Sequence, residues 1–377
     1  MSGLDAIPFS FSCFPRDYSD ARAKFRAAAQ AAGGKLATYA NPNRGPHGED
    51  LATDTAWFGP AGAARVLVTI SATHGTEGFC GSGAQVDWLN ADGPARLPAG
   101  VAALFVHAIN PHGFAWIRRV TEEGVDLNRN HVDFSQKLPA NPGYDELRDA
   151  FLPRALEDPV FEAAEAKIAA WRKAHGDKEF QIARSGGQYV HPEGIFFGGT
   201  GPTWSRRTIE RIVADNELIA RELIGVVDYH TGLGPYGYGE PICGHHPDTV
   251  MVNRAKRWYG ESVTEPALGT SSSVPKVGLN EYGWERMVGD KVTFIALEYG
   301  TFSPERGRRA MREDHWLHAY GPRVDGRIDW NAPDTQRIKK TLRRQYYPDT
   351  DEWREMVLWR SRQILSQALA GLAGERL

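Results

Sequence analysis

Residues 66–81 read VLVTISATHGTEGFCG, and the fold hangs on how this stretch is parsed. Val66–Ile70 is a short apolar, β-branched run of strand length. It ends in a polar turn whose Gly75 and Gly78 permit tight backbone. A helix is expected near Gly83–Leu89, followed by a second apolar strand, VAALFVHAI, at Val101–Ile109. Strand, helix, strand is the repeating unit of an α/β fold. Two later apolar runs behave alike. Leu223–Tyr229 ends at His230, and Val292–Leu297 ends at Glu298. Polar residues leaving strand after strand suit an open sheet with its site beyond the strand C-termini.

Outward from this core, DYSDARAKFRAAAQAA (17–32) predicts a helix stopped by Gly33–Gly34. A short strand is expected at Leu36–Tyr39 and a loop at 41–50. Residues 111–145 read as a long structured loop rich in Arg, Asn and Asp, the kind that is usually functional. Helices are expected at 157–175, 204–222, 305–320 and 351–371. The stretch 185–203 is rich in glycine and aromatics and allows a small insertion near 180–203. The arginine clusters at 308–313 and 343–346 read as solvated helix faces. With no repeat, low-complexity tract or linker, residues 1–377 read as one catalytic domain. Its motif-bearing core spans about 66–300, and a helical C-terminal region follows at 305–371.

The 377 residues are 41% hydrophobic, enough for a large core. Lys and Arg number 44 against 47 Asp and Glu, a balance unlike that of a nucleic-acid binder. Cys13, Cys80 and Cys243 form no CxxC pair and no disulfide framework, which fits a reducing compartment. The first residues, MSGLDAIPFSFSCF, lack a basic and then apolar leader. No apolar run reaches the roughly 18 residues of a membrane span. The expectation is a cytoplasmic protein. Neither a GxxxxGK[ST] phosphate loop nor a Rossmann fingerprint occurs.

Four segments carry chemistry. SATHGTEGF holds His74 and Glu77 three residues apart, both good metal ligands. Such a pair in isolation equally suits a satisfied polar loop. VVDYHTG presents His230 at a strand end, able to complete a His–Glu–His set with a fourth position open. FIALEYGT ends a buried strand in Glu298, whose charge needs either an arginine or a task as general base. Residues 110–130, NPHGFAWIRRVTEEGVDLNRN, bring Arg118, Arg119, Asn128 and Arg129 together. Arginines stabilise an oxyanion or grip a carboxylate, and Asp126 can fix a ligating histidine's tautomer. A purely structural Arg–Asp–Glu network reads the same segment differently. His191 and Glu193 can reach the pocket from their loop, whereas His245 and His246 read as a polar rim.

Together these segments resemble the zinc carboxypeptidase (M14-like) superfamily, which includes the aspartoacylase and succinylglutamate desuccinylase group. THGTEG is similar to its HxxE motif, NPHG and VDLNRN to its NPxG and DxNR segments, VDYHTG to its third-ligand segment, and ALEYGT to its catalytic glutamate. In character the chain looks most like a bacterial, DUF2817-like branch. The resemblance implies a mixed, mainly parallel sheet flanked by helices and one Zn2+ per chain on His74, Glu77 and His230. It further implies Glu298 as the residue that activates water, and Arg119 or Arg118 at the oxyanion. Asn128 and Arg129 would sit on a substrate carboxylate, and Asp126 behind His74. Tyr282, in GLNEYGW, stands for the family tyrosine without a secure match.

The implied activity is zinc-dependent hydrolysis of a peptide or amide C–N bond. Its substrate is a small peptide with a free carboxylate or, in the aspartoacylase manner, an N-acyl amino acid. A zinc-containing binding protein without turnover is the remaining alternative. Neither nucleic acid nor membrane is expected as a partner, and the oligomeric state is unassigned.

Overall fold

The computed structural model describes residues 9–376. The opening residues 1–8 of the leader reading therefore lie outside the described residues. Seven strands form one sheet: β1 (Lys35–Arg44), β2 (Asp50–Phe58), β3 (Arg65–Ile70), β4 (Val101–His107), β5 (Leu223–Tyr236), β6 (Gly239–Ile242) and β7 (Val292–Gly300). Their order is β1-β2-β4-β3-β5-β7-β6. The four central strands, β4, β3, β5 and β7, run parallel, and antiparallel strands close both edges. The expected mixed α/β sheet, parallel at its centre, is what forms.

The helices are α1 (Tyr18–Ala31), α2 (Gly78–Asn90), α3 (Pro111–Ala115), α4 (Pro142–Phe151), α5 (Val160–His175), α6 (Asp177–Ser185), α7 (Trp204–Asp215), α8 (Val250–Tyr259), α9 (Asn280–Val288), α10 (Pro304–Tyr320), α11 (Pro333–Tyr346) and α12 (Asp351–Gly374). Strand alternation divides the core between two faces. Leu67, Phe105 and Tyr229 pack with α1, α2 and α12. Val66, Val68 and Ile70 pack with Ile209 and Ile212 of α7 and Trp284 of α9. A further apolar cluster joins α4, α5, α6 and α10 through Tyr144, Ile168, Phe180 and Met311, and takes in Tyr346 of α11. Among the described residues no helix is long and apolar enough to cross a membrane.

Several local expectations are corrected. β5 does not stop at His230 but continues to Tyr236, past an irregularity in its pairing with β7 between Thr231 and Tyr236. Gly232 and Gly234, at φ 126° and 87°, make that bend possible, so glycines that read as a strand end lie within it. β7 likewise runs two residues beyond Glu298. The 41–50 loop shrinks because β1 extends to Arg44. Helices α8 and α9 were not expected. A glycine interrupts the pattern of α9, where a Cβ on Gly283 would lie 2.3 Å from His131 Nδ1. The arginine clusters are solvated only in part: Arg309 and Arg344 are exposed, but their neighbours turn inward. Arg312 is fully buried on Glu165 and the carbonyl of Ala150, and Gln345 and Tyr346 are buried as well. Glu165, more than a hundred residues away, absorbs the charges of Arg308 and Arg312, which no local pattern reveals.

Candidate active site

The strand order places the site. β3 is flanked by β4, its near successor in sequence, and by β5, which arrives from far along the chain. A crevice opens where connections leave in opposite directions, beyond the C-terminal ends of the strands. The turn after β3 delivers His74 and Glu77 there. In β5, Asp228 and His230 are two residues apart and share a face. Glu298 of β7 lies directly beside His230 in the parallel register.

Two glycines explain how the HGTE turn is held. A Cβ on Gly75 would come within 2.0 Å of the Gly113 main chain, and one on Gly113 within 2.5 Å of Asn110 Nδ2. The turn locks onto the chain that follows NPHG through Gly75 N donating to Arg119 O at 3.2 Å and Thr76 N to Arg118 O at 2.8 Å. Ala72, two residues before His74, adopts φ 61°, a costly conformation for a residue with a Cβ. Gly75→Ala should therefore destabilise the fold by about 1–3 kcal/mol. Urea unfolding checks this as a fall in midpoint at unchanged slope.

Three ligand-type side chains converge. His74 Nδ1 lies 3.0 Å from Glu77 Oε1, and His230 Nδ1 lies 3.1 Å from both Glu77 Oε2 and His74 Nδ1. The far nitrogens face carboxylates. His74 Nε2 meets Asp126 Oδ1 at 3.1 Å, and His230 Nε2 meets Asp228 Oδ2 at 3.0 Å, off hydrogen-bond alignment. With a cation at the shared point, each Nε2 would donate its proton toward its outer carboxylate and each Nδ1 would turn its lone pair inward. Two lone pairs 3.1 Å apart repel unless a cation or proton lies between them. Burial opposes charge on His230, yet Asp228 and Glu77 lift its pKa well above the imidazole range. This environment calls for positive charge at the shared point. Tetrahedral zinc, with bonds of about 2.0–2.2 Å, needs its donors roughly 3.3 Å apart. The set therefore fits such an ion, and it is the one group of this kind among the described residues.

Asp126, Arg119 and Glu298 are each anchored. Despite burial, Arg119, Arg129 and His74 hold Asp126 well below the carboxylate range. Asp126 also accepts Arg119 Nε at 2.9 Å and Asn128 N at 3.0 Å. Arg119 Nη1 reaches Glu77 at 3.2 Å. Glu298 accepts from Leu233 N at 3.0 Å through Oε1, and its Oε2 has no hydrogen-bond partner among the described residues. Burial, then the charge of Glu77, lifts Glu298 to about 7.

A cavity of about 450 Å³ gathers His74, Glu77, His230, Glu298, Arg119, Asn128, Arg129 and Tyr282 on its walls. Arg118 is not among them. Its Nε turns to Asp314 at 3.2 Å, beside Lys339, while Arg119 faces the cavity. His191 pairs with Asp145 instead, and His245 with Glu281 and Glu285. Cys13, Cys80 and Cys243 are buried and free. Sequence reasoning missed Asp228, Arg184, Lys276 and Tyr346. Asp228 was visible in principle, since a residue two before His230 on a strand must share its face. The other three come from distant helices and loops.

A family model described as "Protein of unknown function (DUF2817)" matches residues 14–360. No curated protein matches. Among solved structures, carboxypeptidase A from Helicoverpa armigera is similar at 13% identity and a TM-score of 0.47, covering 97% of this chain and 76% of that one. A metallo-carboxypeptidase from Burkholderia cenocepacia is similar at 12% and 0.42, covering 93% and 70%. Succinylglutamate desuccinylase from Chromobacterium violaceum is similar at 13% and 0.35, covering 87% and 74%. With a match that spans nearly its whole length, the chain belongs to the DUF2817 family.

Proposed function

We propose that this protein hydrolyses a peptide or amide C–N bond in a small substrate that carries a free carboxylate, with a zinc ion held by His74, Glu77 and His230. The observation that carries the reading is the convergence of these three donors at 3.0–3.1 Å in the cavity that also holds Glu298. When bound, zinc supplies a Lewis acid that activates water and polarises a carbonyl. The protein's own groups do the rest. Glu298, with Oε1 fixed by Leu233 N, offers Oε2 to take the proton of the attacking water and return it to the leaving nitrogen. Arg119, anchored through Nε and Nη1, keeps Nη2 free to donate to the oxyanion. Asp126 and Asp228 orient the two imidazoles. Asn128 Oδ1 is held by Asn280 N at 2.7 Å, which leaves its Nδ2 for substrate. Tyr282 donates to Gly244 O at 3.2 Å, a tie it must break to reach substrate. Free buried thiols suit a cytoplasmic setting.

Arg119→Lys should lower kcat more than it raises KM, by about 100-fold, because a point charge cannot keep both anchors and the oxyanion contact. Steady-state kinetics separates the two effects. The reaction itself is tested by mass spectrometry of an N-acetyl tripeptide library incubated with zinc-loaded protein. Loss of the C-terminal residue supports a carboxypeptidase. Loss of acetate alone supports the second reading, an N-acyl amino acid deacylase. If neither these peptides nor N-acyl amino acids are cleaved, the proposal fails.

A further inference from the structure

Two cations on the cavity wall, Arg184 and Lys276, have no use in the chemistry above; Lys276 donates to Ser273 Oγ, whereas Arg184 is left open. Helix α6 turns Gln181, Arg184 and Ser185 toward the cavity, the spacing of a single helix face. Arg184 makes no hydrogen bond or ion pair with any described residue, and its Nε is buried without an acceptor. Its charged neighbours do not neutralise it. Arg119 is already matched by Glu77 and Asp126, and Arg308 by Glu165 at 2.9 Å. Glu305 acts on Arg184 from a distance and forms no ion pair with it. Burial draws Arg184 down to about 10. A desolvated guanidinium without an acid is costly, and an incoming anion removes that cost.

Arg129, the arginine of the DLNR segment, is in the opposite state. Its Nε and Nη2 donate to Ser185 O at 3.1 and 2.7 Å, its Nη1 donates to Asn128 O at 2.5 Å, and it exposes no surface. A helix's last carbonyls lack partners within the helix, and Arg129 satisfies the final one of α6. The motif arginine thus braces the helix that carries Arg184.

Resting on the hydrolase reading, we infer that Arg184, rather than Arg129, is the residue that binds the substrate's carboxylate and so selects acidic-ended substrates. Its planar fork can hold a carboxylate by two parallel hydrogen bonds, with Asn128 Nδ2 on the same cavity as a further donor. A charge-assisted contact of this kind sets a difference of about ten- to a hundredfold in affinity.

The test is calorimetric binding of N-acetyl-phenylalanine, N-acetyl-glutamate and N-acetyl-phenylalaninamide to the protein as purified, wild type against Arg184→Gln and Glu305→Gln. The expected result is acid binding weakened at least tenfold in R184Q and unchanged in E305Q, with the amide bound equally weakly by all three. Equal acid affinity in wild type and R184Q overturns the inference, as does failure of wild type to prefer either acid to the amide. An equal loss in E305Q would instead make Arg184 a structural partner of Glu305. Inorganic phosphate binding more tightly than the acids, and depending on Arg184, would overturn the carboxylate assignment. Binding is read without turnover, so an uncleaved but Arg184-dependent ligand would separate failure of the hydrolase reading from failure of this one.

Discussion

Glu298→Gln should lower turnover about a thousandfold while leaving metal content and folding unchanged. The glutamine keeps the volume and can keep the bond from Leu233 N, so the 3.0 Å anchor survives. What it loses is the open oxygen able to accept a proton, and a positioned base is worth about 10²–10⁴ in rate. Glu298 is not one of the three converging donors, so zinc should still bind. Metal analysis of the purified variant and initial rates on whichever acyl or peptidyl substrate the wild type cleaves decide the matter. Rates within a few-fold of wild type would remove Glu298 from the proton path.

The second large effect is expected at His230. His230→Ala should weaken metal binding by more than about a hundredfold, the upper range for loss of even an outer partner of a ligand, and turnover should fall with it. The fold should persist, because Asp228 retains Thr73 Oγ1 at 2.8 Å and Asn280 Nδ2 at 3.3 Å once the imidazole is gone. Zinc content after dialysis against a metal buffer, with circular dichroism as the control for folding, gives the answer. Undiminished zinc would place the ion elsewhere. Asp228→Asn should cost less, about 10–100-fold in affinity, since it disturbs orientation and leaves the ligand itself.

Much of this architecture was legible in the chain. The apolar runs at 66–70, 101–107 and 292–297 are buried central strands, and such strands need continuous apolar sequence because both faces are covered. The four polar segments that follow or interrupt these strands named residues the fold brings to one cavity, among them His74, Glu77, His230 and Glu298. Less legible was where each strand ends. His230 lies inside β5 and Glu298 inside β7, because paired neighbours carry the ladder past glycines that look like stops. Helix α9 was hidden for a related reason, its glycine serving close packing on His131.

The sequence by itself determined the α/β pattern, the donor types and their order, since strand burial and metal-ligand chemistry are written in residue type and short spacing. Only the tertiary structure decided which of two adjacent arginines faces the cavity. Ile117 at φ 47° and the bond from Arg118 N to Gly113 O set the phase of that turn, sending Arg118 to Asp314 and Arg119 to Asp126. Tertiary packing also brought Arg184, Lys276 and Tyr346 to the cavity wall and spent Arg129 on the end of α6. The physical reason is common to these cases. A side chain's role follows from where its backbone aims it and from partners far along the chain, and neither is encoded in the residues beside it.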